Sequence, residues 1–148
     1  MKYKGFAIGY KEKCAYVYIW FSKEYKILYV GQTNNKNSVL GRAVEHVYKD
    51  GTLRMRCLEQ GIDLDEINDF ILLSYELPRE KRFTSIESSY RLAVEYRVQS
   101  KMHNIRGNVN PSFRIISKVT YTDYASNSQI VKIAQEIIED FIKIYNII

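Results

Sequence analysis

Apolar and polar residues alternate in blocks along the first quarter of the chain. Residues 16–21 are mainly β-branched or aromatic, residues 22–26 are polar, and residues 27–30 are again apolar and mainly β-branched or aromatic. This pattern is typical of a β-hairpin. Because residues about equally distant from the turn face each other in an antiparallel pair, Tyr18 and Tyr29 are predicted to project from the same face of the sheet.

Gly31 follows the second of these strands. It is predicted to end the strand where the backbone turns sharply or approaches another group, at a position that leaves no room for a β-carbon. Residues 39–49 can form a helix. A second short helix is predicted over 52–60, with Thr52 as its cap and Gly61 as its terminator.

The remaining patterns predict a third strand and two longer helices. The strand covers residues 68–77, whose centre is continuously apolar, and a helix with an apolar stripe covers 84–102. Turn-forming residues follow at 104–111. Residues 128–148 form a strongly amphipathic pattern, which is predicted to pack on the same domain, with a homodimer through this helix as the alternative. These elements predict an α+β fold with a small three-stranded antiparallel central sheet flanked by helices.

Length and composition limit the class of protein. The 148 residues are enough for one domain with a substantial core, so a single domain over 1–148 is predicted. Cys14 and Cys57 are too few for a disulfide framework and are interpreted as buried thiols. No apolar run is long enough for a bilayer, and the Lys-rich start lacks the apolar stretch of a signal peptide. A soluble, cytoplasmic protein without a membrane partner is therefore predicted.

The charge of the chain favours a polyanionic partner. The formal net charge is +5, and the excess lies in residues 1–50, which contain nine Lys and Arg against four Asp and Glu. This is also the part of the chain that contains the tyrosine hairpin, where a phosphate backbone would have to lie. A solvated basic surface explains the charge equally well.

Arg42 and His46 are four residues apart in the predicted helix over 39–49, so they share one helix face. With the tyrosine hairpin before them, these residues resemble the GIY-YIG nuclease superfamily over about residues 13–110. Val17-Tyr18 matches the first motif, with Tyr16 in place of its leading glycine, and Tyr29-Val30-Gly31 matches the second. Residues 111–148 are then a C-terminal helical extension of the nuclease domain.

The resemblance implies a metal-dependent DNA endonuclease that hydrolyses phosphodiester bonds. Mg²⁺ is the implied cofactor, with Mn²⁺ as a substitute, because a hard cation with few protein ligands keeps its waters and accepts phosphate oxygens. By resemblance, Tyr18 activates the attacking water, Tyr29 binds the scissile phosphate or shares that role, and Arg42 clamps the phosphate. His46 assists proton transfer or orients Tyr18.

Two glutamates compete for the single carboxylate that holds the metal in this family. Glu87 follows the third strand at an interval similar to the family's, whereas Glu95 lies closer to the family's distance from a downstream asparagine. Glu87 is favoured, with Glu95 as the alternative. The downstream asparagine is Asn104 or Asn108.

Further residues are expected to support the site or contact the substrate, and they are Gly31, Gln32, Thr33, Lys36 and Asn104. The expected substrate is double-stranded DNA, cut by a stand-alone restriction-type enzyme or a nuclease of a phage or mobile element. The alternatives are a repair or structure-specific nuclease, a non-catalytic nucleic-acid-binding module, and an interaction protein built around the C-terminal helix. Structured RNA is not excluded as a substrate.

Overall fold

The computed structural model describes residues 14–34, 51–85 and 88–148. Its strands are β1 (Tyr16–Ser22), β2 (Ile27–Thr33), β3 (Ile71–Glu76) and β4 (Arg114–Ile115). Its α-helices are α1 (Thr52–Glu59), α2 (Lys81–Thr84), α3 (Ser89–Ile105) and α4 (Ser128–Ile147). The predicted α+β class is confirmed. The helix predicted over 39–49 lies outside the described residues.

The sheet has four strands in the order β3-β1-β2-β4. The first three are antiparallel, as predicted, with β1 in the centre of the three. The prediction of a purely antiparallel three-stranded sheet is wrong in one respect, because β4 adds to the outer edge of β2 in parallel. That strand has only two residues, which is too short to leave a periodic pattern in the sequence.

The two faces of the sheet pack against different elements. One face presents Val17, Ile19 and Phe21 to a core that includes residues of α3 and α4. The other face, here called the tyrosine face, contributes Tyr16 and Tyr18 to a second cluster together with α1. β1 is covered on both sides, which explains why its residues are apolar on both faces and do not alternate with polar ones.

The C-terminal helix is integral to the fold. Ile130, Ala134, Ile137, Phe141 and Tyr145 of α4 are buried in the same core as the sheet. The apolar stripe that suggested a dimer is therefore used within the chain. In the part of the chain that the structure describes, no helix combines the length and apolarity needed to cross a bilayer.

Several predicted element ends are wrong. β2 runs past Gly31 to Thr33, and the third strand is shorter than predicted at both ends. The residue that caps α1 is Gly51 and not Thr52, which is the first residue of the helix.

The helix predicted over 84–102 corresponds to α3, which starts and ends later than predicted. The short α2 ends at Thr84, and α3 starts at Ser89, where the hydroxyl of Ser88 accepts a hydrogen bond from the Arg91 amide. α3 continues to Ile105 and therefore includes Asn104, which was predicted to lie in a loop.

Candidate functional site

The ring of Tyr18 lies across Gly31 on the tyrosine face. The two residues are directly opposite each other in the β1–β2 pair. A β-carbon added at Gly31 would come within 3.0 Å of Cζ, Cε2 and Oη of Tyr18, closer than real side chains approach. The phenol therefore extends from β1 over β2, and only a glycine at this position leaves room for it.

Tyr29 lies on the same face but is not opposite Tyr18. The hairpin pairs Ser22 with Ile27, so Tyr29 is opposite Trp20 and Thr33 is opposite Tyr16. The prediction of a common face is confirmed, since both phenols belong to the cluster on that face. The predicted direct pairing is wrong because the turn is centred one residue later than the symmetry of the sequence suggests.

A row of three polar side chains, Arg91, Glu95 and Gln99, runs along α3 at intervals of four residues. All three are buried. The guanidinium of Arg91 donates from Nη1 to the carbonyls of Phe83 (2.6 Å) and Ser85 (2.8 Å), and from Nε to the side chain of Gln32. Burial lowers the pKa of Arg91 from its ordinary value, and the nearby Glu95 opposes this shift. Arg91 thus joins the start of α3 to the end of β2.

Asn34 makes a second connection between these two elements. Its Nδ2 donates to the carbonyl oxygens of Thr84 and Ser85, each at 3.0 Å. The end of α2 is therefore held against the end of β2 by both Arg91 and Asn34.

Gln99 connects the row to β2 at a different point. Its Nε2 donates to the Ser117 carbonyl at 2.9 Å, and its Oε1 accepts from the Ser117 hydroxyl. That hydroxyl in turn accepts from the backbone amide of Val30 at 2.9 Å. A chain of three hydrogen bonds thus satisfies buried polar groups that would otherwise be costly.

Glu95 lies between these two connections on α3. Arg91, one turn before it, is bonded to Gln32, and Gln99, one turn after it, is linked through Ser117 to Val30. The strand residue between Val30 and Gln32 is Gly31. Glu95 is therefore level with the glycine over which the Tyr18 ring lies, on the opposite face of the sheet, and its exposed fraction is only 8%.

The outer edge of β2, on the side away from β1, is paired with a described strand only at its start. β4 pairs with Ile27 and Leu28 only, and beyond them the Val30 amide is bonded to Ser117. Within the described ranges, no strand pairs with this outer edge of β2 after Leu28, although β1 pairs with the other edge as far as Thr33. The phenol of Tyr18 lies over this part of β2 on one face, and α3, which contains Glu95, packs on the other face.

The remaining residues predicted at the site either lie away from Glu95 or fall outside the described ranges. Asn104 is exposed in the last turn of α3, nine residues after Glu95 and hence on the opposite side of the helix. Asn108, also exposed, lies in the 3-10 turn that follows. The residues predicted at the site that lie outside the described ranges are Lys36, Arg42, His46 and Glu87.

A metal ion held mainly by protein needs several ligating side chains close together. Among the described residues, no group of three or more His, Cys, Asp and Glu side chains could together hold a cation. This does not conflict with a hard cation held by one carboxylate and water molecules.

The sequence analysis missed Arg91 and Gln99. They could have been found from the sequence, because polar residues recur at 91, 95 and 99, four residues apart, next to an apolar stripe of the same helix. This spacing indicates polar side chains that reach the interior. A scan against protein-family models, a search of curated proteins and a search of solved structures each found no match.

Proposed function

We propose that this chain is a metal-dependent DNA endonuclease with a GIY-YIG-like fold. The observation that carries the proposal is the position of the Tyr18 phenol over Gly31. Glu95 is on the opposite face of the sheet, between two α3 residues that are linked to the strand residues on either side of this glycine. Three antiparallel strands in the order β3-β1-β2, with helices on both faces, are consistent with this fold. The motif order along the sequence supplies the rest of the argument.

Glu95 is the carboxylate that we assign to the metal. The sequence alone favours Glu87, but the link from Arg91 to Gln32 and the link from Gln99 to Val30 support Glu95 at the level of Gly31. One carboxylate fits Mg²⁺, which takes a few protein oxygens and keeps its waters. When bound, Mg²⁺ would polarise the phosphate oxygens and make water more acidic.

Tyr18 is assigned to proton transfer at its Oη. A free phenol titrates at about pH 10, so it needs assistance to accept a proton from water near neutral pH. In this proposal His46 gives that assistance, while Tyr29 and Arg42 bind the phosphate whose negative charge grows during hydrolysis. Arg91 positions the start of α3 against Gln32 and has no contact with the substrate.

The test is nicking of supercoiled plasmid DNA by the purified protein in Mg²⁺, Mn²⁺ or EDTA. Nicking is expected with either metal and not in EDTA. Tyr18→Phe and Glu95→Gln should each lower the rate by roughly 100-fold or more, as loss of a proton-transfer or charge-stabilising group does. Two matched controls lie outside the assigned site. Tyr75→Phe removes a phenol that donates to Asp140 (2.8 Å), and Glu136→Gln neutralises an exposed helix carboxylate.

The possible results distinguish the nuclease proposal from the choice of metal ligand and from a non-catalytic binding module. If Glu87→Gln abolishes nicking while Glu95→Gln does not, the nuclease proposal stands and the metal assignment moves to Glu87. Retained DNA binding without nicking in either metal would favour the non-catalytic binding module. Full activity in Tyr18→Phe, Glu87→Gln and Glu95→Gln would contradict the assigned chemistry altogether.

A further inference from the structure

Two tyrosines on the segment before α4 are unusually exposed. Tyr121 is 59% exposed and Tyr124 is 45% exposed, and they lie only three residues apart. A single exposed aromatic side chain is common on protein surfaces, but a pair on one short segment forms a local patch.

Each exposed ring is paired with a tyrosine of α3. Tyr121 packs edge to face with Tyr96, with ring centroids 5.1 Å apart and planes at 79°. Tyr124 lies against Tyr90, with centroids 4.6 Å apart and planes at 31°. Aromatic contacts of this geometry hold the rings in defined orientations. We call these four residues the tyrosine platform.

The segment that carries the exposed rings is anchored. Its 3-10 helix Asp123–Ser126 buries Ala125, and the hydroxyl of Thr122 donates to the Ser89 carbonyl at 3.3 Å. The amide of Asn127 bonds to the Tyr124 carbonyl at 2.9 Å. Because the rings are already fixed, a ligand that packs on them pays little ordering entropy.

One cationic side chain contacts the tyrosine platform, and another is close to it in the sequence. The guanidinium of Arg82 is 4.9 Å from the Tyr90 ring centroid, in cation–π geometry, and is 43% exposed while paired with Glu80 at 3.0 Å. Lys118 is exposed three residues before Tyr121. Aromatic rings flanked by cations suit a ligand that has both flat rings and negative charge.

We infer that the tyrosine platform binds unpaired nucleobases of a single-stranded segment of nucleic acid. Tyr90 and Tyr96 are six residues apart on α3, which is a rise of about 9 Å and a rotation of about 120° around the helix axis, so the two ring pairs are separate and can contact different bases. Bases in a duplex have their faces covered by their neighbours, so only unpaired bases can stack on these rings. The inference rests on the proposed function in taking nucleic acid as the substrate.

The platform would define which DNA the enzyme prefers. Tyr90 precedes Arg91 and Tyr96 follows Glu95 in the chain, so the same turns of α3 carry the inward polar row and the outward tyrosines. A DNA strand bound to the tyrosine platform would thus contact the helix that contains the assigned metal ligand, Glu95. The preferred substrate is then DNA with unpaired nucleotides near the cleaved bond.

The test measures binding in EDTA, so that cleavage does not contribute. Fluorescence anisotropy is recorded with a labelled single strand of about 16 nucleotides, its duplex, and the same strand with abasic sites in place of bases. The double variant Tyr121→Ala/Tyr124→Ala is expected to bind the single strand about tenfold or more weakly, with duplex binding unchanged. Tyr121→Phe/Tyr124→Phe keeps the rings and should bind as the natural protein does. The abasic strand should bind poorly to all of them.

The possible failures are distinguishable. If the alanine double variant binds the single strand normally, or the abasic strand binds as well as the natural one, the platform inference is wrong, whatever the nicking assay gives. If the natural protein binds no form of DNA even at low salt, both the platform and the proposed nuclease fail. Thermal unfolding checks that the alanine variant is folded at the assay temperature, since it loses the two aromatic contacts. A variant that is unfolded is replaced by the two single substitutions.

Discussion

The ring of Tyr18 occupies the space in which a side chain at Gly31 would begin. The two residues are cross-strand partners in the centre of the hairpin, and the ring is almost completely buried. Since protein interiors are closely packed, the glycine and the tyrosine constrain each other. The position of the phenol is thus fixed by a missing side chain on the neighbouring strand.

Gly31→Ala should displace the Tyr18 ring. Inserting a methyl group into this packed contact is expected to lower the free energy of unfolding by about 1–3 kcal/mol. If Tyr18 acts in cleavage, the displacement should also lower nicking by on the order of 100-fold. Urea unfolding and the plasmid assay measure the two effects separately.

Gly107→Ala is the matched control, because nothing lies within 4 Å of a β-carbon added there. It should leave both stability and nicking close to those of the natural protein. In a Tyr18→Ala background the ring is gone, so Gly31→Ala should cost much less stability than in the natural protein. An equal cost in both backgrounds would show that the ring is not the obstacle.

The sequence predicted the hairpin and the need for a glycine at position 31, because both follow from residue types. Two β-branched and aromatic runs around a polar break indicated the hairpin, and the glycine indicated a position without room for a β-carbon. What occupies that room depends on the register, and a turn shifted by one residue moves the partner of Tyr18 from Tyr29 to Gly31. The register depends on turn geometry, which composition alone does not specify.

The polar row on α3 was not predicted for a different reason. Hydrophobic periodicity identifies the residues that are buried because they are apolar, such as Val94 and Val98. Arg91, Glu95 and Gln99 are polar and are also buried, and Arg91 and Gln99 bond to partners distant in sequence. Such partners are known only once the fold is known.

Arg91→Met should destabilise the start of α3. It removes the donor to the Phe83 and Ser85 carbonyls. The Ser85 oxygen keeps its bond from Asn34, but the buried bond to the Phe83 oxygen is lost, which is expected to cost about 1–3 kcal/mol. Arg91→Lys keeps the charge but not the planar fork, so it should recover only part of the loss. Arg114→Met, which removes an exposed bond to Gln60, should change stability by less than about 0.5 kcal/mol. Equal losses in both methionine variants would contradict a specific role for Arg91.

Ser117→Ala should expose the Val30 amide to exchange. The serine hydroxyl accepts from this amide and donates to Gln99, so its loss leaves two buried groups unsatisfied, at a cost of about 1–3 kcal/mol. Hydrogen exchange should become faster at Val30 by more than the loss in global stability explains. Ser112→Ala, at an exposed position, is the control. Unchanged protection at Val30 would remove Ser117 from the link between β2 and α3.

Cys57 should make the protein less stable as the pH rises from about 9 to 11. Burial raises the pKa of its thiol to about 11, whereas a free thiol titrates at about 8.5. Between these two values the unfolded chain releases the proton and the folded chain keeps it, so rising pH favours unfolding. Below about pH 8 both states are protonated and the contribution of Cys57 to stability is constant. Urea unfolding at pH 8, 9 and 10 measures the slope.

Cys57→Ala isolates the thiol from other groups that titrate in alkali. Burial also raises the pKa values of Tyr16 and Tyr75, but free phenols titrate only near about pH 10, so their effect starts later. The alanine variant should be less stable at every pH because it leaves a small cavity, yet its stability should fall less between pH 8 and 10. The slope and not the absolute stability is therefore the informative quantity. If the variant loses stability as steeply as the natural protein over this range, the alkaline destabilisation has another source, and the thiol does not titrate with a raised pKa.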